Sequence, residues 1–142
     1  MPKILIIDAP YYEHLSKSLR EGATSVLEEA GASFDYQPVP GVLEIPAALA
    51  MAIDSGRYDG FVALGCVIRG ETTHYDIVAF ESARAIMDLC VQHRLALGNG
   101  IQTVENEAQA LVRADPAQLD KGGHAAQAAL DMIALREQFR DQ

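Results

Sequence analysis

Apolar residues follow two rhythms along this chain. Ile4, Leu5, Ile6 and Ile7 form an unbroken run that stops at Asp8, which predicts a strand buried on both faces. After the turn Asp8-Ala9-Pro10-Tyr11-Tyr12, residues Leu15, Leu19, Ala23, Val26, Leu27 and Ala30 recur at helical spacing. Gly31 then stands where a glycine ends a helix. Residues 33–39 read as a second strand, closed by Pro38 and Pro40. A loop, Gly41-Val42-Leu43-Glu44-Ile45-Pro46, leads into a helix over 46–54 with proline near its first turn. Phe61 to Val67 forms a third strand. The next helix starts near Thr72 or Thr73, where Thr73 and Asp76 have the form of a capping box. Phe80, Ala83, Met87, Cys90 and Val91 continue it on one face. A weaker strand over 95–104 and helices over 105–113 and 121–139 complete the pattern, with the turn Ala114-Asp115-Pro116 between the helices.

Strands thus alternate with helices. This predicts an α/β fold: a three-layer αβα sandwich with a four-stranded parallel sheet, flavodoxin-like, joined by right-handed crossovers. Ligands of such folds bind beyond the carboxyl ends of the strands. The segments that matter are therefore 8–12, 40–46, 66–74 and 99–106. No repeat or low-complexity tract interrupts the chain, which reads as a single domain over 1–142.

Composition narrows the function. The 142 residues are 49% hydrophobic and 22% charged, enough for one core and unlike a disordered chain. Eleven Lys and Arg against twenty Asp and Glu leave a net charge of −9. Nucleic-acid affinity comes mostly from basic groups, so this balance argues against a phosphate-backbone binder and leaves room for a small anion held locally. Cys66 and Cys90 make no metal or redox pair. The first apolar run is too short for a signal peptide, and no stretch is long enough to span a bilayer. A reducing cytosol is the expected location.

The segment Gly65-Cys66-Val67-Ile68-Arg69-Gly70-Glu71-Thr72-Thr73-His74-Tyr75-Asp76 runs from a strand end through a glycine turn into a helix. Free amides and the dipole at a helix start favour an anion. His74 lies in the same first turn, and histidine is the residue type best suited to proton transfer. The same residues also suit a capped helix with a surface imidazole. In Pro40-Gly41-Val42-Leu43-Glu44-Ile45-Pro46, two prolines and a glycine fix a loop that can hydrogen-bond the edge of a planar heterocycle, with Glu44 as acceptor. That loop reads equally as a helix lead-in. Tyr11 and Tyr12 can stack on a flat ligand or pack over the sheet edge. Arg113 can grip a phosphate, or it and Lys121 can be solvated helix-end charges. Cys66 reads as a small lining residue. His14, His93 and His124 lack ligand spacing, and no nucleophile elbow, Walker A or G-x-G-x-x-G motif occurs.

Three segments, taken in order and with their spacing, closely resemble the 6,7-dimethyl-8-ribityllumazine synthase family: Pro40 to Pro46, Leu64 to Asp76, and Gly100-Ile101-Gln102-Thr103-Val104-Glu105-Asn106. The resemblance covers nearly the whole chain. It implies condensation of 5-amino-6-(D-ribitylamino)uracil with 3,4-dihydroxy-2-butanone 4-phosphate, without metal or organic cofactor. By the same resemblance His74 is the proton-transfer residue. Glu71, Thr72, Arg113 and Lys121 hold the butanone phosphate. Tyr11, Val42, Leu43, Glu44, Cys66, Val67, Ile68 and Asn99 hold the ribitylaminouracil.

Three departures stand out. Leu43 and Asn99 replace aromatics found in many members, and Tyr11 replaces the usual Phe or Trp, so the stacking contacts are expected to change. The resemblance also implies a homopentamer whose sites lie between subunits, with residues 99–121 coming from the neighbour. The short lead before the first strand and the composition of residues 114–120 favour a free pentamer over a shell of pentamers. A non-catalytic flavin- or lumazine-binding module is the rival. A phosphoacceptor domain would need an acidic pair after the first strand and an aspartate ending the third, whereas Asp8 stands alone and that strand ends in Gly65-Cys66-Val67.

Overall fold

The computed structural model describes residues 1–141. Its strands are β1 (Lys3–Asp8), β2 (Ser33–Pro38), β3 (Gly60–Ile68) and β4 (Leu97–Val104), all parallel, in the order β2-β1-β3-β4. The helices are α1 (Glu13–Glu29), α2 (Ile45–Ser55), α3 (His74–His93), α4 (Glu107–Ala114) and α5 (Lys121–Arg140).

Alternation along the inner strands divides the core. Ile4, Ile6, Val62 and Leu64 pack with Leu15, Leu19 and Leu27 of α1 and with Ala126, Ala129 and Ile133 of α5. Leu5, Ile7, Phe61 and Ala63 pack on the other face with Ile45 and Leu49 of α2 and with Val78 and Ile86 of α3. A side-chain period of two sends neighbouring residues to opposite faces, so a continuous Ile/Leu run is what a strand covered on both sides requires. Each of the largest buried side chains contributes about 1.5–3 kcal/mol of transfer free energy. On the α1/α5 side the layers approach very closely. A Cβ on Gly122 would overlap the Leu19 carbonyl, and one on Gly98 the Ala125 carbonyl.

The helix ends show where local chemistry decided the boundary. Gly31, at φ 75°, follows α1 in the left-handed conformation expected of a terminating glycine. Residues 42–44, expected as loop, form a single 3-10 turn that runs directly into α2. Strand β2 stops at Pro38, although the Val39 amide still donates to the Asp8 carbonyl over 2.8 Å. Helix α4 begins two residues later than its pattern suggested, because Asn106 caps it by accepting from the Gln109 amide at 2.9 Å.

The capping box expected at Thr73 does not form. Thr73, at φ −74° and ψ 0°, lacks the extended backbone that aims a capping hydroxyl, and Asp76 turns instead to Arg69 at 3.5 Å. Thr72 Oγ1 accepts from the His74 amide at 3.2 Å in its place. The apolar stripe of α3 also differs from a core stripe. Phe80, Met87 and Val91 are 71%, 62% and 73% exposed, while Val78, Ser82 and Ile86 face the sheet. Among the described residues no helix is long and apolar enough to cross a membrane.

Candidate active site

A cleft of about 450 Å³ opens beyond the carboxyl ends of β1 and β3. Three successive strand-to-helix connections line it. Tyr11 and Tyr12 come from the turn after β1, packed edge to face with ring centroids 4.9 Å apart. Pro40, Gly41, Val42, Leu43 and Glu44 come from the connection after β2, where Val42 is buried and Leu43 is partly exposed. Cys66, Val67 and Ile68 end β3, and His74 and Val78 begin α3. The chain therefore brings together eight of the residues singled out from the sequence: Tyr11, Val42, Leu43, Glu44, Cys66, Val67, Ile68 and His74. Tyr12, Pro40, Gly41 and Val78 are additional walls.

The wall is mostly apolar. Burial pushes the Cys66 thiol up to about 11, so it is protonated at neutral pH and unsuited to nucleophilic attack. Burial also raises the Tyr12 phenol, keeping it a neutral donor. Beside His74, Glu71, Thr72 and Thr73 are exposed, and among the described residues no acceptor meets their amides. Unpaired amides at the start of a 20-residue helix attract negative charge. His74 thus stands at a helix start with unpaired amides and also lines the cleft.

Three other expected residues lie elsewhere on the same chain. Asn99 lines a separate groove of about 270 Å³ with Tyr75, Phe80, Ala83 and Thr103, and its Oδ1 accepts from the Ile101 amide at 3.0 Å. Arg113, in the last turn of α4, donates to the Gln109 carbonyl at 3.1 Å. Lys121 begins α5. None of the three lines the cleft.

Sequence reasoning passed over Arg69, although it sits beside this site. Its Nε donates to Glu105 at 2.6 Å, and its guanidinium lies 4.2 Å from the Tyr75 ring centroid. The signal was available in the strand register. Ile68 pairs with Val104, so the residues that follow them, 69 and 105, emerge side by side.

A parallel sheet that gathers polar and aromatic side chains beyond its strands' carboxyl ends has the layout of an α/β enzyme. The sequence model of 6,7-dimethyl-8-ribityllumazine synthase matches residues 1–137. Curated relatives of that name include one from Novosphingobium aromaticivorans, 59% identical over 139 residues and covering 98% of this chain and 99% of the relative. Another, from Bartonella tribocorum, is 58% identical over 141 residues, covering 99% and 93%. A third, from Sphingopyxis alaskensis, is 57% identical, with 98% of each chain covered. The chain belongs to the 6,7-dimethyl-8-ribityllumazine synthase family.

Proposed function

We propose that this chain condenses 5-amino-6-(D-ribitylamino)uracil with 3,4-dihydroxy-2-butanone 4-phosphate to 6,7-dimethyl-8-ribityllumazine, phosphate and water, the penultimate step of riboflavin biosynthesis. Family membership over nearly the whole length carries this reading, and the cleft beside His74 gives it a mechanism.

The pyrimidine lies in the slot between Tyr11 and the ends of β2 and β3. Val42, Leu43 and Glu44 meet one edge of the ring, and Cys66, Val67 and Ile68 meet the other. The butanone phosphate is held at the start of α3 by the Glu71 and Thr72 amides and the Thr72 hydroxyl. The pyrimidine's 5-amino group attacks the ketone, and the resulting carbinolamine loses water to give an imine. Removal of a proton from the adjacent carbon expels phosphate, whose charge the helix start stabilises as the bond breaks. The enol becomes a ketone, the ribityl-bearing nitrogen adds to it, and a second dehydration closes the ring. Each step moves a proton, and His74 is the group beside the reacting atoms that can carry it. Holding two reactants together supplies much of the acceleration.

The working form is a homopentamer in which Asn99, Arg113 and Lys121 of one subunit complete the cleft of the next. Two features support this: those residues lie away from the cleft of their own chain, and the α3 stripe is apolar yet exposed. Both substrates are highly polar and one is phosphorylated, so the enzyme works in the cytoplasm, where they are made. The test is to mix purified chain with both substrates and follow lumazine absorbance and fluorescence. A chain that binds lumazine without forming it would be the binding module instead.

A further inference from the structure

Among the described residues, 70–73 make no hydrogen bond to one another, although the Thr73 carbonyl accepts from the Asp76 and Ile77 amides and Thr72 Oγ1 from the His74 amide, and a Cβ on Gly70 would meet no described atom within 4 Å. Beyond those bonds, the course of this loop depends on the side chains that tie its two ends together. Arg69 anchors both. Its amide donates to the Val104 carbonyl over 2.9 Å, and its Nε to Glu105 over 2.6 Å, fixing the loop's start against the end of β4. Its Nη1 approaches Asp76 at 3.5 Å and its guanidinium stacks on Tyr75, fixing the loop's finish in the first turn of α3.

We propose that Arg69 is a positioning residue for the phosphate-bearing substrate, acting through Glu105 and Asp76 rather than by touching the phosphate. This rests on the reaction proposed above. Two arguments carry it. Nε and Nη1 of the guanidinium already face carboxylates, and a planar fork committed in this way is held in one orientation. The acidic groups around the loop are Glu71, Asp76 and Glu105. Without Arg69, the half-exposed carboxylates of Asp76 and Glu105 would lose their shared counter-charge beside a doubly charged ligand, and the loop would lose the side-chain tie between its ends.

The experiment measures binding of inorganic phosphate by calorimetry, together with kcat and the KM for the butanone phosphate, in the full-length chain. Arg69→Gln is expected to weaken phosphate binding and raise that KM about tenfold, the size of one lost charge-assisted hydrogen bond, with kcat changed less than about twofold. Arg69→Lys falls between, because it keeps the charge and loses the fork. Glu105→Gln shifts the same constants in the same direction, and the double variant is no worse than Arg69→Gln alone, as for residues acting as one unit. The proposal is overturned if Arg69→Gln weakens phosphate binding while Glu105→Gln leaves it unchanged or tightens it, since Arg69 would then be a direct ligand. It is equally overturned if neither substitution moves either constant. If Arg69→Gln does not fold, Glu105→Gln still decides. Phosphate calorimetry reads the loop whether or not lumazine is formed, so failure of the reaction and failure of this proposal are separate results.

Discussion

The Tyr36 hydroxyl on β2 donates to the fully buried carboxylate of Asp8 at the end of β1 over 2.5 Å. Ser16 of α1 donates to the same oxygen over 2.5 Å, while the other, Oδ1, is buried with no partner among the described residues. Burial raises the Asp8 pKa, and the bonds from Ser16 and Tyr36 and the charge of Arg20 only partly oppose it. The folded state therefore holds this proton more tightly than the unfolded chain does. Stability from Asp8 is present at low pH and is lost as pH rises through the folded pKa. Asp8→Asn is expected to flatten that fall above the ordinary aspartate range, as read from urea midpoints at a series of pH values. An unchanged profile would mean that Asp8 titrates normally.

His74→Ala is expected to slow turnover about 10-fold to 100-fold, at or below the low end of the usual acid–base contribution, because positioning survives the substitution. Steady-state kinetics on both substrates checks this. Complete loss of turnover in a folded variant that still binds ligand would contradict it.

Arg113→Ala is expected mainly to raise the KM for the butanone phosphate. If its partner cleft belongs to another copy, co-assembled His74→Ala and Arg113→Ala chains should be more active than the two separate variants summed, since some clefts then contain both native residues. Mixed assemblies no more active than the sum of the separate variants would place Arg113 outside a shared site.

Phe80, 71% exposed on α3, tests the assembly. Phe80→Asp puts a charge into what is proposed to be a buried contact, so sedimentation should show a loss of pentamer and the assay a parallel loss of turnover. The native chain should sediment as a free pentamer. An unaltered assembly in the variant would exclude this stripe from the interface.

Much of the fold was legible because the hydrophobic code was consistent. Ile4 to Ile7 could only be a strand covered twice, and Leu15, Leu19, Ala23 and Leu27 could only be one buried helical face. Misreadings arose where a side chain had a rival partner outside its own segment. Asp76 fits a capping box by spacing, yet Arg69 takes it. Phe80, Met87 and Val91 form a continuous stripe, but sequence periodicity does not say whether the sheet or another molecule covers it. The cleft residues were legible as three motifs after three strands. Arg69 was not, because its partner Glu105 is 36 positions away and becomes a neighbour only through the β3–β4 register.

The flush contact of Gly122 on the Leu19 backbone has a consequence for biosynthesis. Ala125, Ala126, Ala129 and Ile133 close the sheet face that α1 only partly covers. On the ribosome, Ile4, Ile6, Val62 and Leu64 must wait for the segment 121–133 to emerge before that layer is sealed. Nascent chains halted before this point should therefore stay open to protease and chaperone, however well their earlier helices have formed.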